Sequence, residues 1–267
     1  MFFRFLISLV CLSLLACSPQ VDEVSIPVSA NEPVAEISVP PSFDSQRAAL
    51  VARAGAPLLD GLGDFEHAIT TADAGAQLYF NQGMVMASGF NHAEAVRAFQ
   101  AAQRLDPLCA MCFWGEALAR GPNINVTSKG KAIMMPAERL AAFAAIQKAQ
   151  QLSVDASEVE RDYIRAQAFR FNGEPDTSRE PLDLAYADAM RELAAKYPDD
   201  DDAQAIFAES MMNTMPWDYW VDGDNPRPET AEVIAVLETV MARNPRHALA
   251  LHLYIHAVEA SSRPGRA

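Results

Sequence analysis

Residues 76–107 decide the fold, and they read AQLYFNQGMVMASGFNHAEAVRAFQAAQRLDP. Apolar and small side chains recur every three or four residues on both sides of a polar turn at residues 90–92, which is the spacing of two amphipathic helices. Gly83 and Ala95 would let these helices approach closely, because neither residue has a bulky side chain. Phe99 is then expected to fill the space toward the next pair of helices. The stretch is therefore predicted to form one helical hairpin.

The same helical spacing continues along the rest of the chain, alanine is abundant and runs of β-branched residues are scarce. We therefore predict an all-α fold with no strands. Nine helices are expected, at residues 72–88, 91–105, 107–120, 136–152, 157–171, 181–197, 202–213, 228–243 and 246–261. Pro107 is expected to begin the third helix, where its missing amide hydrogen costs nothing. Ser157 and Glu160 have the spacing of a capping box at the start of the fifth.

The first hairpin resembles a tetratricopeptide repeat in the order of its key residues, which are Tyr79, Gly83, Ala95, Phe99, Ala102 and Pro107. Similar turn signals between helices recur near residues 155, 197–199 and 244–246. The repeat is therefore degenerate, with steps of about 45 residues. The resemblance implies an α-solenoid of about four and a half hairpins. A solenoid needs a polar end cap, so we expect that the chain is truncated after Ala267 or that another chain covers the ninth helix.

Five longer runs resemble exported bacterial tetratricopeptide-repeat lipoproteins of unassigned function. They are FNQG at 80–83, GFNHAEA at 89–95, LDPLCAMCFWGEAL at 105–118, GPNIN at 121–125 and HLYIHAVEAS at 252–261. The resemblance covers the chain from about residue 64 onward and implies a fold, but it implies no activity. Members of this family look as if they continue with more repeats and further histidines, which this chain lacks.

The N-terminus has the proportions of a signal peptide over residues 1–16, with the cation Arg4 before an apolar run that is shorter than the ~20 residues of a membrane span. The sequence LLAC at 14–17 resembles the lipobox of bacterial lipoproteins, whose cysteine is acylated, so Cys17 is predicted to carry a lipid such as palmitate. Ser18, which is not an aspartate, indicates the periplasmic side of the outer membrane. Residues 17–45 are rich in proline and serine and are predicted to be a flexible tether. The repeat domain is then expected to occupy residues 46–267.

Charge and cysteine content exclude two classes of protein. The chain has 21 Lys and Arg against 35 Asp and Glu, and loss of Arg4 with the signal peptide leaves 20 cations against 35 anions, a net charge of −15. Such a surface repels phosphate backbones, so no nucleic-acid partner is expected. After processing and lipidation only Cys109 and Cys112 remain, too few for a disulfide-built miniprotein.

The resemblance also implies a concave groove, lined by the first helix of each hairpin, that captures a peptide or protein segment. The predicted groove residues are Phe80, Met84, Met111, Trp114, Glu209, His252, His256 and Glu259. A scaffold that binds a partner in this groove is therefore the predicted function.

An alternative function is metal binding by His252, His256 and Glu259. These residues are four and three positions apart and share one helix face, and their side chains are ligand types for zinc or copper. A zinc protease would need glutamate directly after the first histidine, where this chain has Leu253. The competing interpretation is that the three side chains hydrogen-bond to a neighbouring hairpin or to a bound peptide.

Two further motifs leave alternatives open. Cys109 and Cys112 stand at a predicted helix start, where a reactive pair is possible in principle. The favoured interpretation is two buried residues that an oxidising periplasm can join as a disulfide. The loop at 215–226 holds two tryptophans among acidic residues. Either its aromatic side chains contact a sugar or a peptide, or Asp222, Asp224 and Asn225 hold calcium, or the loop folds onto the domain with its tryptophans packed inward, which is the favoured interpretation. Because no catalytic triad, phosphate loop or dinucleotide motif occurs, we predict that the protein is not an enzyme and, apart from the metal alternative, has no cofactor.

Overall fold

Helices make up most of the computed structural model, which describes residues 43–125 and 134–267. The described part contains α1 (Phe43–Ala54), α2 (Ala74–Ser88), α3 (His92–Leu105), α4 (Ala110–Arg120), α5 (Pro136–Leu152), α6 (Glu158–Ala168), α7 (Glu180–Lys196), α8 (Asp201–Thr214), α9 (Pro228–Arg243) and α10 (Ala248–Val258). Short 3-10 turns occur at Ser153–Asp155 and Pro264–Arg266. The predicted signal peptide, Cys17 and nearly all of the predicted tether lie outside the described residues. Within the described ranges, no helix is both long and apolar enough to cross a membrane.

Most helix boundaries follow local signals that the sequence displays. The capping box at the start of α6 is confirmed: the Ser157 side chain accepts a hydrogen bond from the Glu160 backbone, and the Glu160 side chain accepts one from the Ser157 backbone. Proline stands in the first turn of α5 and of α9, and both helices have the predicted bounds. Local chemistry therefore decides where these helices begin.

Three predictions about elements are wrong. Helix α1 was not predicted, and its first residues fall inside the predicted tether, because its short sequence is mostly exposed and has little apolar periodicity. The prediction of no strands fails at β1 (Trp220–Asp222) and β2 (Asn225–Pro226), which pair antiparallel. Pro107 does not begin α4; the helix begins at Ala110, where the sulfur of the preceding Cys109 accepts a hydrogen bond from the Cys112 backbone at 3.1 Å.

From α2 onward, consecutive helices pack against each other, and several even-numbered helices also contact one another. Helix α4 contacts both α2 and α6, and α10 contacts both α8 and α2. Helix α10, the last of the described helices, thus packs against α2 of the first hairpin. The Phe99 ring on α3 is fully buried between the backbones of α2 and α4, so close packing of glycine against an aromatic ring holds the first hairpins together.

Candidate functional site

Residues 57–72, which we call the crossing segment, connect α1 to α2 without helix or strand and lie against the even-numbered helices. Two glutamines of α2 bind its backbone. Gln77 accepts a hydrogen bond from the Ile69 amide at 2.9 Å and donates one to the His67 carbonyl at 2.8 Å. Near the start of the segment, Gln82 accepts a hydrogen bond from the Leu59 amide at 2.8 Å and donates one to the Pro57 carbonyl at 3.1 Å. Each side-chain amide therefore matches both the donor and the acceptor of an extended backbone.

Two carboxylates accept hydrogen bonds from the last residues of the crossing segment. Glu160 on α6 accepts hydrogen bonds from the Thr70 amide at 2.5 Å and the Thr70 hydroxyl at 2.6 Å. Asp106 accepts them from the Thr71 hydroxyl at 2.6 Å and the Ala72 amide at 2.9 Å. Burial opposes ionisation of both acids, but these hydrogen bonds outweigh it and lower the pKa of Glu160 and of Asp106. Both groups therefore present charged acceptors to the segment.

His67 anchors the middle of the crossing segment on α8. Its Nδ1 lies 2.6 Å from the carboxylate of Asp202, and its ring packs on Phe80 and edge-on against Tyr163. His247 Nε2 lies 3.2 Å from the other oxygen of Asp202. Burial lowers the pKa of His67, but the hydrogen bond and charge of Asp202 outweigh it and raise that pKa. The Asp202 pKa is held well below its usual range by hydrogen bonds from His247 and His67, despite burial. The pair is therefore ionic when His67 is protonated.

Five of the eight predicted groove residues are buried in the core, namely Phe80, Met84, Met111, Trp114 and Glu209. The prediction that they line an open groove is wrong. The physical reason is that the chain covers this surface itself: the crossing segment lies over α2, α6 and α8, and α10 contacts α2. Sequence reasoning missed the crossing segment because its anchors are single polar residues with no periodic pattern.

His252 and His256 lie side by side on α10 and face each other through their Nε2 atoms, 3.1 Å apart. Their other ring nitrogens point to oxygen atoms. His252 Nδ1 lies 2.7 Å from the Ser88 carbonyl at the end of α2, and His256 Nδ1 lies 3.0 Å from Glu259 Oε1. The three residues therefore do not form the predicted ligand set, because Glu259 contacts the opposite side of its histidine. In the described part of the chain, no three His, Cys, Asp or Glu side chains converge as a metal site.

Two aromatic rings enclose this pair, which we call the histidine pair. Phe90 lies 4.2 Å from the His252 ring between centroids, and Trp217 packs edge-on against His256 at 5.3 Å. Phe90 and Trp217 are also the two non-glycine residues of the described ranges with positive φ, at 57° and 62°. Backbone strain of this kind costs about 1–3 kcal/mol and concentrates at functional sites. The sequence contains no signal for it.

The two remaining motifs have structural roles. Cys109 and Cys112 are buried, and a disulfide joins their sulfur atoms. In the loop at 215–226, Trp220 donates a hydrogen bond to the Ala257 carbonyl at 2.8 Å, whereas Trp217 is 43% exposed. The Asp222 carboxylate accepts hydrogen bonds from Asn225 and so closes the turn between β1 and β2. The loop therefore folds onto α10 through Trp220 and leaves Trp217 partly exposed to solvent.

Comparison with protein-family models finds no match, and no curated protein or solved structure is similar to this chain. The geometry of the crossing segment and of the histidine pair is therefore the basis for assigning a function.

Proposed function

We propose that this protein is an interaction scaffold of the tetratricopeptide type, lipid-anchored through Cys17 at the periplasmic side of the outer membrane, that binds an extended segment of a partner protein. One observation carries the proposal. The even-numbered helices hold the crossing segment as such a groove would hold a bound peptide, with Gln77, Gln82 and Glu160 all bonded to its backbone. Backbone recognition of this kind accepts other extended chains in the same place.

The resident segment also indicates which partner chemistry suits this surface. Asp202 pairs with the imidazole of His67, and Glu160 accepts the hydroxyl of Thr70, three residues later. A partner segment that carries a cationic side chain and, three residues on, a hydroxyl side chain would satisfy both carboxylates. Leaving either carboxylate buried and unpaired would cost binding energy. The partner would take the place of the crossing segment, so its apparent affinity depends on how firmly that segment is held.

A peptide copy of residues 62–73, labelled with a fluorophore, tests this proposal on the full chain. Thr70→Val removes the hydroxyl bond to Glu160, which is worth about 1.5–3 kcal/mol for a charged acceptor, and so loosens the resident segment. Fluorescence anisotropy should then record peptide binding at least about tenfold tighter than to wild type, since 1.4 kcal/mol corresponds to a factor of ten.

Two comparisons make this experiment specific. Thr239→Val is the matched control, because Thr239 is exposed and its hydroxyl bonds only within α9, to the Ala235 carbonyl; its affinity for the peptide should equal that of wild type. Replacing the threonine of the labelled peptide that corresponds to Thr70 by valine should weaken its binding again, because the peptide then lacks the same bond to Glu160. If the Thr70→Val chain keeps its fold and binds the labelled peptide no better than the control, the proposed groove is wrong.

A further inference from the structure

The hydrogen positions in the histidine pair follow from its partners. A carbonyl oxygen only accepts hydrogen bonds, so His252 Nδ1, at 2.7 Å from the Ser88 carbonyl, must carry a hydrogen. The carboxylate of Glu259 likewise accepts from His256 Nδ1. A neutral imidazole has one hydrogen, and in both rings it is on Nδ1. Both Nε2 atoms are therefore left as lone pairs.

Those two lone pairs face each other across 3.1 Å. Two acceptors at hydrogen-bond distance repel each other unless a positive charge lies between them. A proton can supply it by making one ring an imidazolium, and a metal ion can supply it by accepting both lone pairs. The arrangement around the rings is that of metal-binding histidines, whose second nitrogen usually donates to a carbonyl or a carboxylate. Two histidines four residues apart on one helix are also a chelating pair.

The surroundings hold the pair rigidly and leave it accessible. Phe90 and Trp217 pack on the two rings from the turn after α2 and from the loop before β1. The His256 side chain remains 21% exposed. The turn after α2 would ordinarily place glycine at the positive φ that Phe90 adopts. Keeping an aromatic residue there costs backbone strain, which contact with the His252 ring offsets.

We propose that His252 and His256 bind one transition-metal ion of the zinc or copper class through their Nε2 atoms, with water or a partner's side chain in the remaining positions. This site is independent of the crossing segment. Glu259 acts as a positioning residue, because it holds the His256 ring from the opposite side. An ion bound between the two Nε2 atoms would remove the repulsion between their lone pairs.

Three ionisable groups lie around the histidine pair. Glu259, the residue after α10, places its carboxylate beside His256. His92, at the start of α3, has a pKa lowered to about 4 by burial and by the charges of Arg170 and His252, so it is neutral at pH 7. Burial raises the pKa of Tyr219, on the 215–226 loop, so its phenol is neutral too. Neither His92 nor Tyr219 therefore adds positive charge that would repel a metal ion.

The test is calorimetric titration of Zn²⁺ and Cu²⁺ into the full chain after chelator treatment. Wild type should bind one ion. His256→Ala should lose this binding at least about tenfold. Glu259→Gln should weaken it by about 10- to 100-fold, the usual effect of an orienting partner. Mg²⁺, a hard ion that prefers oxygen ligands, should not bind there.

Two controls keep the test decisive. Glu238→Gln changes another carboxylate that bonds to α10, through Tyr254, and should leave the affinity for metal unchanged. Equal melting temperatures for His256→Ala and wild type without metal would exclude loss of folding. If wild type takes up no Zn²⁺ or Cu²⁺, or if His256→Ala binds them equally well, the histidine pair is not a metal site and the proposal is overturned.

Discussion

At the scale of single residues, His67 and Asp202 join parts of the chain that are 135 residues apart. Their side chains are 14% and 13% exposed, so water screens them far less than it screens a surface pair. Each partner changes the ionisation of the other: the pKa of His67 rises and that of Asp202 falls. The contact therefore links folding stability to pH.

The sign of this linkage follows from the two shifts. Stability from the lowered pKa of Asp202 is present above the ordinary pKa of aspartate, about 4, and is lost as pH falls toward the folded value. Stability from the raised pKa of His67 is present below the ordinary pKa of histidine, about 6.5, and is lost as pH rises through the folded value. The pair thus contributes most between about pH 4 and 6.5.

Asp202→Asn should therefore lower the free energy of unfolding by about 3 kcal/mol near pH 5.5, because it leaves a buried imidazolium without its partner. The loss should be clearly smaller near pH 9, because stability from the raised pKa of His67 is lost as pH rises. Urea denaturation at both pH values measures it. Asp199→Asn is the control, since that carboxylate is almost fully exposed, and its effect should stay within about 0.5 kcal/mol. Equal losses at both pH values would contradict the assignment.

At the scale of elements, the spacing between α2, α3 and α4 depends on glycines facing one ring. A methyl group on Gly83 would lie 2.6 Å from the Phe99 ring, and one on Gly115 would lie 2.3 Å from it. The role predicted for Gly83 in close helix approach is confirmed. The role of Gly115 was not predicted, because the residue lies on α4 and only packing of α4 on α3 brings it to Phe99.

Gly115→Ala should destabilise the protein by about 1–3 kcal/mol through overpacking, although alanine favours the helix by about 1 kcal/mol. Gly89→Ala should change stability by less than about 0.5 kcal/mol, since its methyl group would meet only carbonyl oxygens at ordinary contact distance. Gly115→Ala should cost less stability in a chain that already carries Phe99→Leu than in wild type, because the smaller leucine leaves room for the added methyl group. Thermal unfolding of the four variants measures this, and strictly additive effects would refute the clash.

At the scale of the whole molecule, contacts far apart in sequence bring the last helix back to the first hairpin. His252 on α10 meets the Ser88 carbonyl, 164 residues away, and Arg246 pairs with Asp64, 182 residues away. The proposed metal site therefore joins α10 to the end of α2, and the proposed peptide site joins α2 to α6 and α8. Neither would exist in an isolated hairpin.

The proposed anchoring also belongs to the whole molecule. When the full chain is expressed in a bacterium supplied with labelled palmitate, wild type should incorporate the label and sediment with membranes. Cys17→Ser should lose the label and move to the soluble fraction, because the acylated thiol is absent. Cys109→Ser is the control, since that sulfur is buried in the domain, and it should remain labelled. Equal labelling of the Cys17→Ser chain would rule out the lipobox.

Local sequence determined most of the helices, because helix formation depends on interactions within a few residues. The sequence alone indicated the capping residues Ser157 and Glu160 and the prolines in the first turns of α5 and α9. Helical spacing also indicated His252 and His256 as a ligand pair, but only the tertiary structure decided which groups surround each site. That Glu160 also binds Thr70, that Glu259 contacts the far side of His256, and that the crossing segment covers Phe80 all depend on side chains brought together across long separations. Periodicity reports which face of a helix is apolar, and it does not report what covers that face.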